Sequence, residues 1–104
     1  MKVYLTKKYK EDLQRILLTS KEKFGEKVEE ELYVEVRKLL VLVSNDPKIG
    51  IDKYNKKGSE FILRCFRVKG FPFLMFYSID EALKQVNVYR LLHESMDIPN
   101  LNLF

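Results

Sequence analysis

The stretch that decides the fold covers residues 61–97 and reads FILRCFRVKGFPFLMFYSIDEALKQVNVYRLLHESMD. Three successive strand-like runs, separated by Lys69-Gly70 and by residues 80–83, predict three strands joined by short turns. The middle run, residues 71–79, is apolar on both alternating faces, which is unusual for an antiparallel strand with one wet side. We therefore expect both faces of this strand to be covered.

Two amphipathic helices precede this stretch. Residues 2–5 are predicted to form a short strand, after which Thr6 caps a first helix that ends at Gly25. A second helix is predicted from about Glu26 and ends before Pro47, because the residue before a proline avoids helical dihedrals. Apolar residues at helical spacing mark the buried faces: Tyr9, Leu13, Ile16, Leu17 and Phe24 in the first helix, and Val28, Leu32, Val36, Leu39, Leu40, Leu42 and Val43 in the second. The charged residues between them, Asp12 included, are assigned to the solvent side.

The order of elements, β-α-α-β-β-β, predicts an α+β fold in which a helical hairpin packs on a small antiparallel sheet, as one domain over residues 1–104. Two helices cover only one face of such a sheet. The second face needs either the C-terminal residues (Ile98, Pro99, Leu101, Leu103 and Phe104) or a partner protein, and we favour a mixture of both.

The composition bears on which partners and which cellular compartment we expect for this protein. A net charge of +4 and a pI near 9.1 attract nucleic acid, a ribosome or an acidic protein without choosing among them. No apolar run is long enough to span a bilayer, so we expect no membrane partner. The single cysteine, Cys65, excludes an internal disulfide and fits a reducing, cytoplasmic location.

Few residues are candidates for chemistry. One Cys and one His give no metal site, and the absence of a glycine-rich phosphate loop predicts no nucleotide or other cofactor. What remains is a basic group that could bind phosphate or transfer protons, namely Arg64, Arg67, Arg90 and His93. The structural alternative, which we favour, is that Arg64 pairs with a carboxylate and that His93 stabilises a strand end. Lys53, Lys56 and Lys57 in the loop after the second helix could add phosphate contacts, although a solvated loop is favoured.

Six segments, taken in this order, resemble a known superfamily. They are Asp12-Leu13 with Ile16; Leu42; Pro47-x-x-Gly50; Leu63-Arg64; the FPFLMFY run of residues 71–77; and the VYRLLHESMDIP run of residues 88–99. Together they resemble the RelE/ParE superfamily of bacterial type II toxins, and more closely its ParE-like, plasmid-stabilisation branch.

The resemblance implies a toxin held inactive by a cognate antitoxin, ParD-like or similar, in a hetero-oligomer that reaches operator DNA only through the antitoxin. The antitoxin would cover apolar surface, for which we nominate Phe71, Phe73, Met75 and Tyr77. ParE-type toxins poison DNA gyrase, whereas RelE-type relatives cleave mRNA in the ribosomal A site.

Three functional hypotheses follow from the resemblance. The first is a gyrase-inhibiting toxin that is not an enzyme and that binds its target through Arg64, Arg67, Arg90 and His93. The second is a ribosome-dependent mRNA endonuclease using Arg64 and His93, although the chain lacks other catalytic groups of the nuclease branch near its C-terminus. The third is an inactive relative that acts with its antitoxin as a repressor. Met96, where ParE-like relatives often have Arg, weakens a target-binding role at that position.

Overall fold

The computed structural model describes residues 1–52, 54, 62–101 and 103. Its elements are β1 (Lys2–Leu5), α1 (Lys7–Phe24), α2 (Glu26–Asn45), β2 (Arg64–Arg67), β3 (Phe73–Asp80) and β4 (Gln85–His93), with short 3-10 turns at Pro47–Ile49 and Ile98–Asn100. The predicted α+β class and element order are confirmed. The three loop lysines, Lys53, Lys56 and Lys57, lie outside the described residues, as does Phe104.

The four strands form one sheet in the order β1-β4-β3-β2. Strands β2, β3 and β4 pair antiparallel as expected from their short turns, but β1 lies parallel to β4, so the sheet is mixed rather than wholly antiparallel. The helical hairpin separates β1 from the other strands along the chain, and a long connection of this kind permits parallel pairing where a tight turn does not.

The helix ends follow from local chemistry. The Thr6 hydroxyl accepts a hydrogen bond from the Tyr9 N–H at 3.1 Å, which confirms it as the N-cap of α1. Gly25 alone connects the two helices: its N–H donates to the Lys21 carbonyl at 2.9 Å and its carbonyl accepts from the Glu29 N–H at 3.2 Å. Its φ of +90° is disfavoured for any residue with a Cβ.

The sheet separates two apolar cores. The larger lies between the sheet and the helical hairpin and includes Leu32, Val36, Met75 and Val88. The smaller lies on the other face, where Ile98 and Leu103 of the C-terminal segment are buried against a group formed by Leu63, Cys65, Phe76 and Leu92. The second face of β3 is therefore covered, at least in part, by the chain itself.

A β-bulge redirects the end of β4. Phe76 pairs with Arg90 and Tyr77 pairs with Val88, so Tyr89 is the extra residue. Because of this extra residue, Val88 and Leu91 both face the helical hairpin although three positions separate them. The regular alternation of side chains between the two faces of a strand does not predict this change of face.

Three local predictions are wrong. Phe24 and Leu42, which are expected in buried stripes, are 68% and 40% exposed. Phe24 is the last residue of α1, at the tip of the hairpin, and Leu42 lies at the edge of its helical face. Strand β3 begins at Phe73 rather than at residue 71, because Phe71 belongs to the preceding turn and donates its N–H to the Val68 carbonyl at 3.1 Å. In that turn Gly70 has a φ of +79°, as the prediction of a Lys69-Gly70 turn requires.

Tyr77 ties β3 to the segment after α2. Its buried hydroxyl donates to the Pro47 carbonyl at 2.7 Å and accepts from the Gly50 N–H at 2.8 Å. A Cβ on Gly50 would lie 2.9 Å from two carbons of the Tyr77 ring, so only glycine fits there. The spacing Pro47-x-x-Gly50 is thus set by one phenol that bonds both residues.

Tyr9, unlike Tyr77, has a buried hydroxyl group whose burial is not compensated by hydrogen bonds from the described residues. Its ring is fully buried in the larger core, yet its hydroxyl has no hydrogen-bond partner within the described part of the chain. Burial raises the pKa of this phenol, which therefore stays neutral. The hydroxyl carries a desolvation cost without a compensating hydrogen bond.

We predict opposite effects for the same substitution at these two tyrosines. Tyr77→Phe removes two hydrogen bonds and leaves the Pro47 carbonyl and Gly50 N–H unpaired, so the free energy of unfolding should fall by about 1–3 kcal/mol. Tyr9→Phe removes an unpaired hydroxyl and should leave that free energy unchanged or raise it. Urea unfolding of both variants measures the difference, and an equal cost at the two positions would contradict this account.

Candidate functional site

An open groove of about 640 Å³ lies at one end of the molecule, between the helical hairpin and the end of the sheet where β3 begins and β4 ends. We call it the hairpin groove. Its apolar lining residues are Ile16, Phe24, Val28, Phe71, Pro72, Phe73, Leu91, Leu92 and Met96, and its polar ones are Arg15, Thr19, Ser20, Lys23 and His93. The hairpin groove thus combines an apolar interior with basic side chains.

Two tight connections shape this groove. The single residue between the helices leaves Phe24 at the tip of the hairpin, where it is the most exposed large apolar side chain among the described residues. On the sheet side, the Glu94 N–H donates to the Pro72 carbonyl at 2.9 Å, which holds the turn after β4 against the start of β3. Exposed apolar side chains held by rigid backbone are typical of protein-binding surfaces.

His93 closes one side of the groove and has a defined orientation. Its ring packs edge-on against Phe73, with ring centroids 5.4 Å apart and an interplanar angle of 89°. Its Nδ1 accepts a hydrogen bond from the Ser95 N–H at 3.0 Å, so in the neutral ring the hydrogen is on Nε2. The Ser95 hydroxyl lies 2.7 Å from the same Nδ1. The nitrogen that could act as a base is therefore engaged within the turn.

Arg64 and His93 do not converge on one site. Arg64 pairs with Tyr77, whereas His93 pairs with Phe73. Four residues along β3 and two strand spacings across the sheet separate their backbones by about 16 Å. The Arg64 guanidinium is directed to the Gly50 carbonyl, to which it donates at 2.9 Å. The pair nominated for RNA cleavage is thus held apart.

Arg67 lies near His93 at the groove end of the sheet. Its guanidinium forms an ion pair with Glu94 at 3.0 Å, and about half of its side chain is exposed. An exposed pair of this kind contributes little to stability. Arg67 pairs with Leu74 and His93 pairs with Phe73, so these two nominated target-binding residues lie at the same end of the sheet but project from opposite faces.

Arg90 belongs to a buried cluster that contains Asp12 of α1. Asp12 is 2% exposed, and its Oδ2 accepts from the Arg90 Nε at 2.7 Å and from the Leu91 N–H at 3.1 Å. Its Oδ1 accepts from Arg90 and from Arg15, each at 3.0 Å. The assignment of Asp12 to the solvent side is wrong. Because β1 stops at Leu5, the N–H of Leu91 lies beyond the parallel ladder and takes a carboxylate in place of a strand partner.

The cluster shifts the pKa values of both ionised groups. Burial opposes ionisation of Asp12, but the hydrogen bonds from Arg90, Leu91 and Arg15 outweigh it, so the pKa of Asp12 lies below its usual value. The hydrogen bond to Asp12 raises the pKa of Arg90. Both groups stay charged at neutral pH, and Arg90 is committed to an internal pair.

Comparison with known proteins identifies the family to which this chain belongs. The family model described as the ParE toxin of the type II toxin-antitoxin system parDE matches residues 3–98. The chain belongs to the ParE toxin family. A comparison with curated proteins gives no significant match.

A solved structure supports the fold of this ParE family member. A chain of the chromosomal ParDE toxin-antitoxin system from P. aeruginosa superposes with a TM-score of 0.72 at 14% identity, covering 89% of this chain and 95% of that chain. At that identity the likeness shows the fold alone. It agrees with two helices packed on a four-stranded mixed sheet.

The nominated antitoxin-binding residues of this ParE family member fall into two pairs. Phe71 and Phe73 are half-buried and line the hairpin groove. Met75 and Tyr77 follow Phe73 on the same face of β3 but are fully buried under the helices. Sequence reasoning did not predict that α1 and α2 contribute side chains to the groove, for which the apolar Phe24 beside Gly25 was the available signal.

Two negative findings concern the described residues alone. They include no group of three His, Cys, Asp or Glu side chains that could hold a metal ion. None of their helices is long and apolar enough to cross a membrane.

We predict that Asp12→Asn lowers the free energy of unfolding at pH 7 by about 3–5 kcal/mol, because it leaves Arg90 charged and without its buried partner. Since the pKa of Asp12 is lower in the folded chain than in the unfolded chain, its stabilisation is complete above the unfolded-state pKa of about 4 and is lost as the pH falls toward the folded-state value. The difference between variant and wild type should therefore shrink below about pH 4.

Urea unfolding between pH 7 and pH 3 measures this effect. Glu11→Gln is the matched control, because Glu11 lies on the same helix in an exposed pair with Lys7 at 3.9 Å and should change stability little. A cost for Asp12→Asn that is independent of pH would show that the carboxylate charge is not the stabilising feature.

Proposed function

We propose that this chain is the toxin of a type II toxin-antitoxin pair, that it acts by inhibiting DNA gyrase, and that a ParD-like antitoxin neutralises it. The observation that carries the proposal is the match to the ParE toxin family over residues 3–98. Gyrase is the target that this family membership favours. The antitoxin, rather than this chain, would contact operator DNA, and the cytoplasm is where we expect the complex.

The arrangement of the basic residues supports a binding role over catalysis. General acid–base catalysis needs its groups within hydrogen-bonding reach of one substrate. The backbones of Arg64 and His93 are about 16 Å apart across the sheet, the Arg64 guanidinium donates to the Gly50 carbonyl, and the Nδ1 of His93 already accepts a hydrogen bond from Ser95. The mRNA endonuclease alternative would require both residues to abandon these contacts.

The groove end of the sheet is the surface we propose for the target. Arg67 and His93 flank that end from opposite faces of the sheet, and the ion pair between Arg67 and Glu94 is exposed enough to be exchanged for a partner's carboxylate or phosphate. Arg64 lies further along the sheet, where it contributes at the edge of such a surface. Arg90 takes part through Asp12, by fixing the position of β4.

The hairpin groove is the surface we propose for the antitoxin. Phe24, Phe71 and Phe73 offer apolar contacts, while Arg15 and Lys23 add positive charge. A groove of this kind suits an amphipathic segment that carries acidic residues. Met75 and Tyr77 would support the binding surface from beneath, because they are buried on the same face of β3 as Phe73. The two proteins would then form a hetero-oligomer.

We predict that Phe24→Glu weakens antitoxin binding by at least about tenfold, because it removes an apolar contact and adds a negative charge facing an acidic partner. Phe24 is 68% exposed, so the substitution should leave the free energy of unfolding nearly unchanged. Leu83→Glu is the matched control: Leu83 is 65% exposed but lies in the turn between β3 and β4, at the other end of the strands. Calorimetric titration with the antitoxin encoded beside this chain compares the two, and equal losses would count against the groove.

We predict inhibition of gyrase supercoiling by the purified chain, with no cleavage of translated mRNA in a parallel assay. Arg64→Ala and His93→Ala serve as diagnostic variants in the mRNA assay. Cleavage by the wild type that is lost in either folded variant would establish the endonuclease instead. If expression without antitoxin causes no growth arrest, both readings fail and the repressor-only hypothesis stands.

A further inference from the structure

The side of α2 that faces away from the sheet carries two valines in solvent. Val34 is 47% exposed and Val41 is 60% exposed. The buried residues of α2 (Leu32, Val36, Leu39 and Val43) lie on the opposite side. Valine is one of the poorer helix formers, so an exposed valine benefits neither the helix nor the core. A partner that covers Val34 and Val41 would explain why valine occupies these two exposed positions.

Four charges surround Val34 in a regular order. Glu30 and Glu31 precede it by four and three residues, and Arg37 and Lys38 follow it by three and four. At these spacings all four side chains neighbour Val34 on the helix surface. Neither glutamate has an ion-pair partner among the residues that the structure describes. The acidic half of this face is therefore available to a basic surface.

The charges around Val34 are complementary to those of a second α2 helix that runs in the opposite direction. At 100° per residue, Glu30 and Arg37 lie on one side of Val34, whereas Glu31 and Lys38 lie on the other. Within each pair, the two residues are displaced from Val34 by about 5 Å in opposite directions along the helix axis. A second α2 placed antiparallel, with a two-fold axis at Val34, would set each glutamate opposite a cation of the other copy.

A shallow concavity is present where that second helix would pack. It has a volume of about 390 Å³ and is lined by Tyr33, Val34, Arg37, Lys38 and Val41. Arg37 is held in place at its rim, because it donates to the Tyr33 hydroxyl at 3.3 Å and lies 5.9 Å from the centroid of that ring. The concavity thus offers apolar surface beside a fixed guanidinium.

We propose that two copies of this chain associate through this face, with their α2 helices antiparallel and Val34 at the two-fold axis. Glu30 pairs with Arg37 of the other copy in an isologous interface. Glu31 pairs with Lys38, which exchanges its weak contact with Glu35 at 3.5 Å for this one. One helix pair buries less surface than a permanent dimer requires, so the dimer is weak and depends on salt. The α2 helix contributes only Val28 to the hairpin groove, so this association is independent of the antitoxin proposal.

Sedimentation velocity of the full chain from about 10 µM to about 1 mM tests the association. For the wild type, the mass should rise with concentration toward twice the 12.4 kDa of one chain, and it should rise less at high salt. Val34→Lys should abolish this rise without unfolding the helix, since lysine is the better helix former. A wild type that stays monomeric throughout would overturn the proposal.

Charge reversal identifies the interface. Glu30→Arg alone and Arg37→Glu alone should each weaken association by about tenfold or more, because each places like charges opposite one another. A mixture of these two variants should form a heterodimer, since each then presents the charge that the other requires. Glu22→Arg, an equal charge change on the exposed surface of α1, should leave association unchanged. Failure of the mixture to associate would also overturn the proposal, even if the wild type dimerises.

Discussion

The buried carboxylate of Asp12 is the interaction on which the functional end of this molecule depends. It accepts hydrogen bonds from Arg90, from the Leu91 backbone and from Arg15, and so joins α1 to β4 just beyond the last residue of β1. The next turn of α1 supplies Ile16 to one wall of the hairpin groove, and the residues after Arg90 supply the facing wall. One carboxylate therefore sets the separation of the two walls.

The parts of the fold that sequence predicts are those governed by neighbouring residues. Thr6 and Gly25 delimit the helices through contacts within a few positions, and Gly70 permits its turn through its own φ. The burial of Asp12 could not be predicted in the same way, because the partners that bury it, Arg90 and Leu91, are 78 and 79 positions away and a charged residue in a helix is usually solvated. The bulge at Tyr89 could not be predicted from the sequence either. No local signal marks the extra residue, which changes the face of the sheet to which the following side chains of β4 point.

In the candidate site, too, some features are predictable from neighbouring residues and others depend on contacts between distant parts of the chain. The apolar residues on both faces of β3 predicted that both faces would be covered, but the burial of Met75 and Tyr77 depends on how far the helices extend over one of them. The arginines could be recognised as unusual on strands, yet their roles differ: Arg90 is internal, Arg64 bonds a backbone carbonyl, and Arg67 is in an exposed pair. The nearest polar atom, rather than residue type, distinguishes a structural arginine from one available to a target.

The connection at Gly25 makes the length of the helical hairpin invariant. Most surface loops tolerate insertions, because extra residues extend into solvent. Here the connecting residue caps both helices, so one added residue that continued α1 or α2 would rotate the following helix by about 100° relative to the sheet. Leu32 and Val36 would leave the core, and the groove and the outer face of α2 would lose their positions together. We therefore expect homologous chains to keep the number of residues between Asp12 and Val43 fixed.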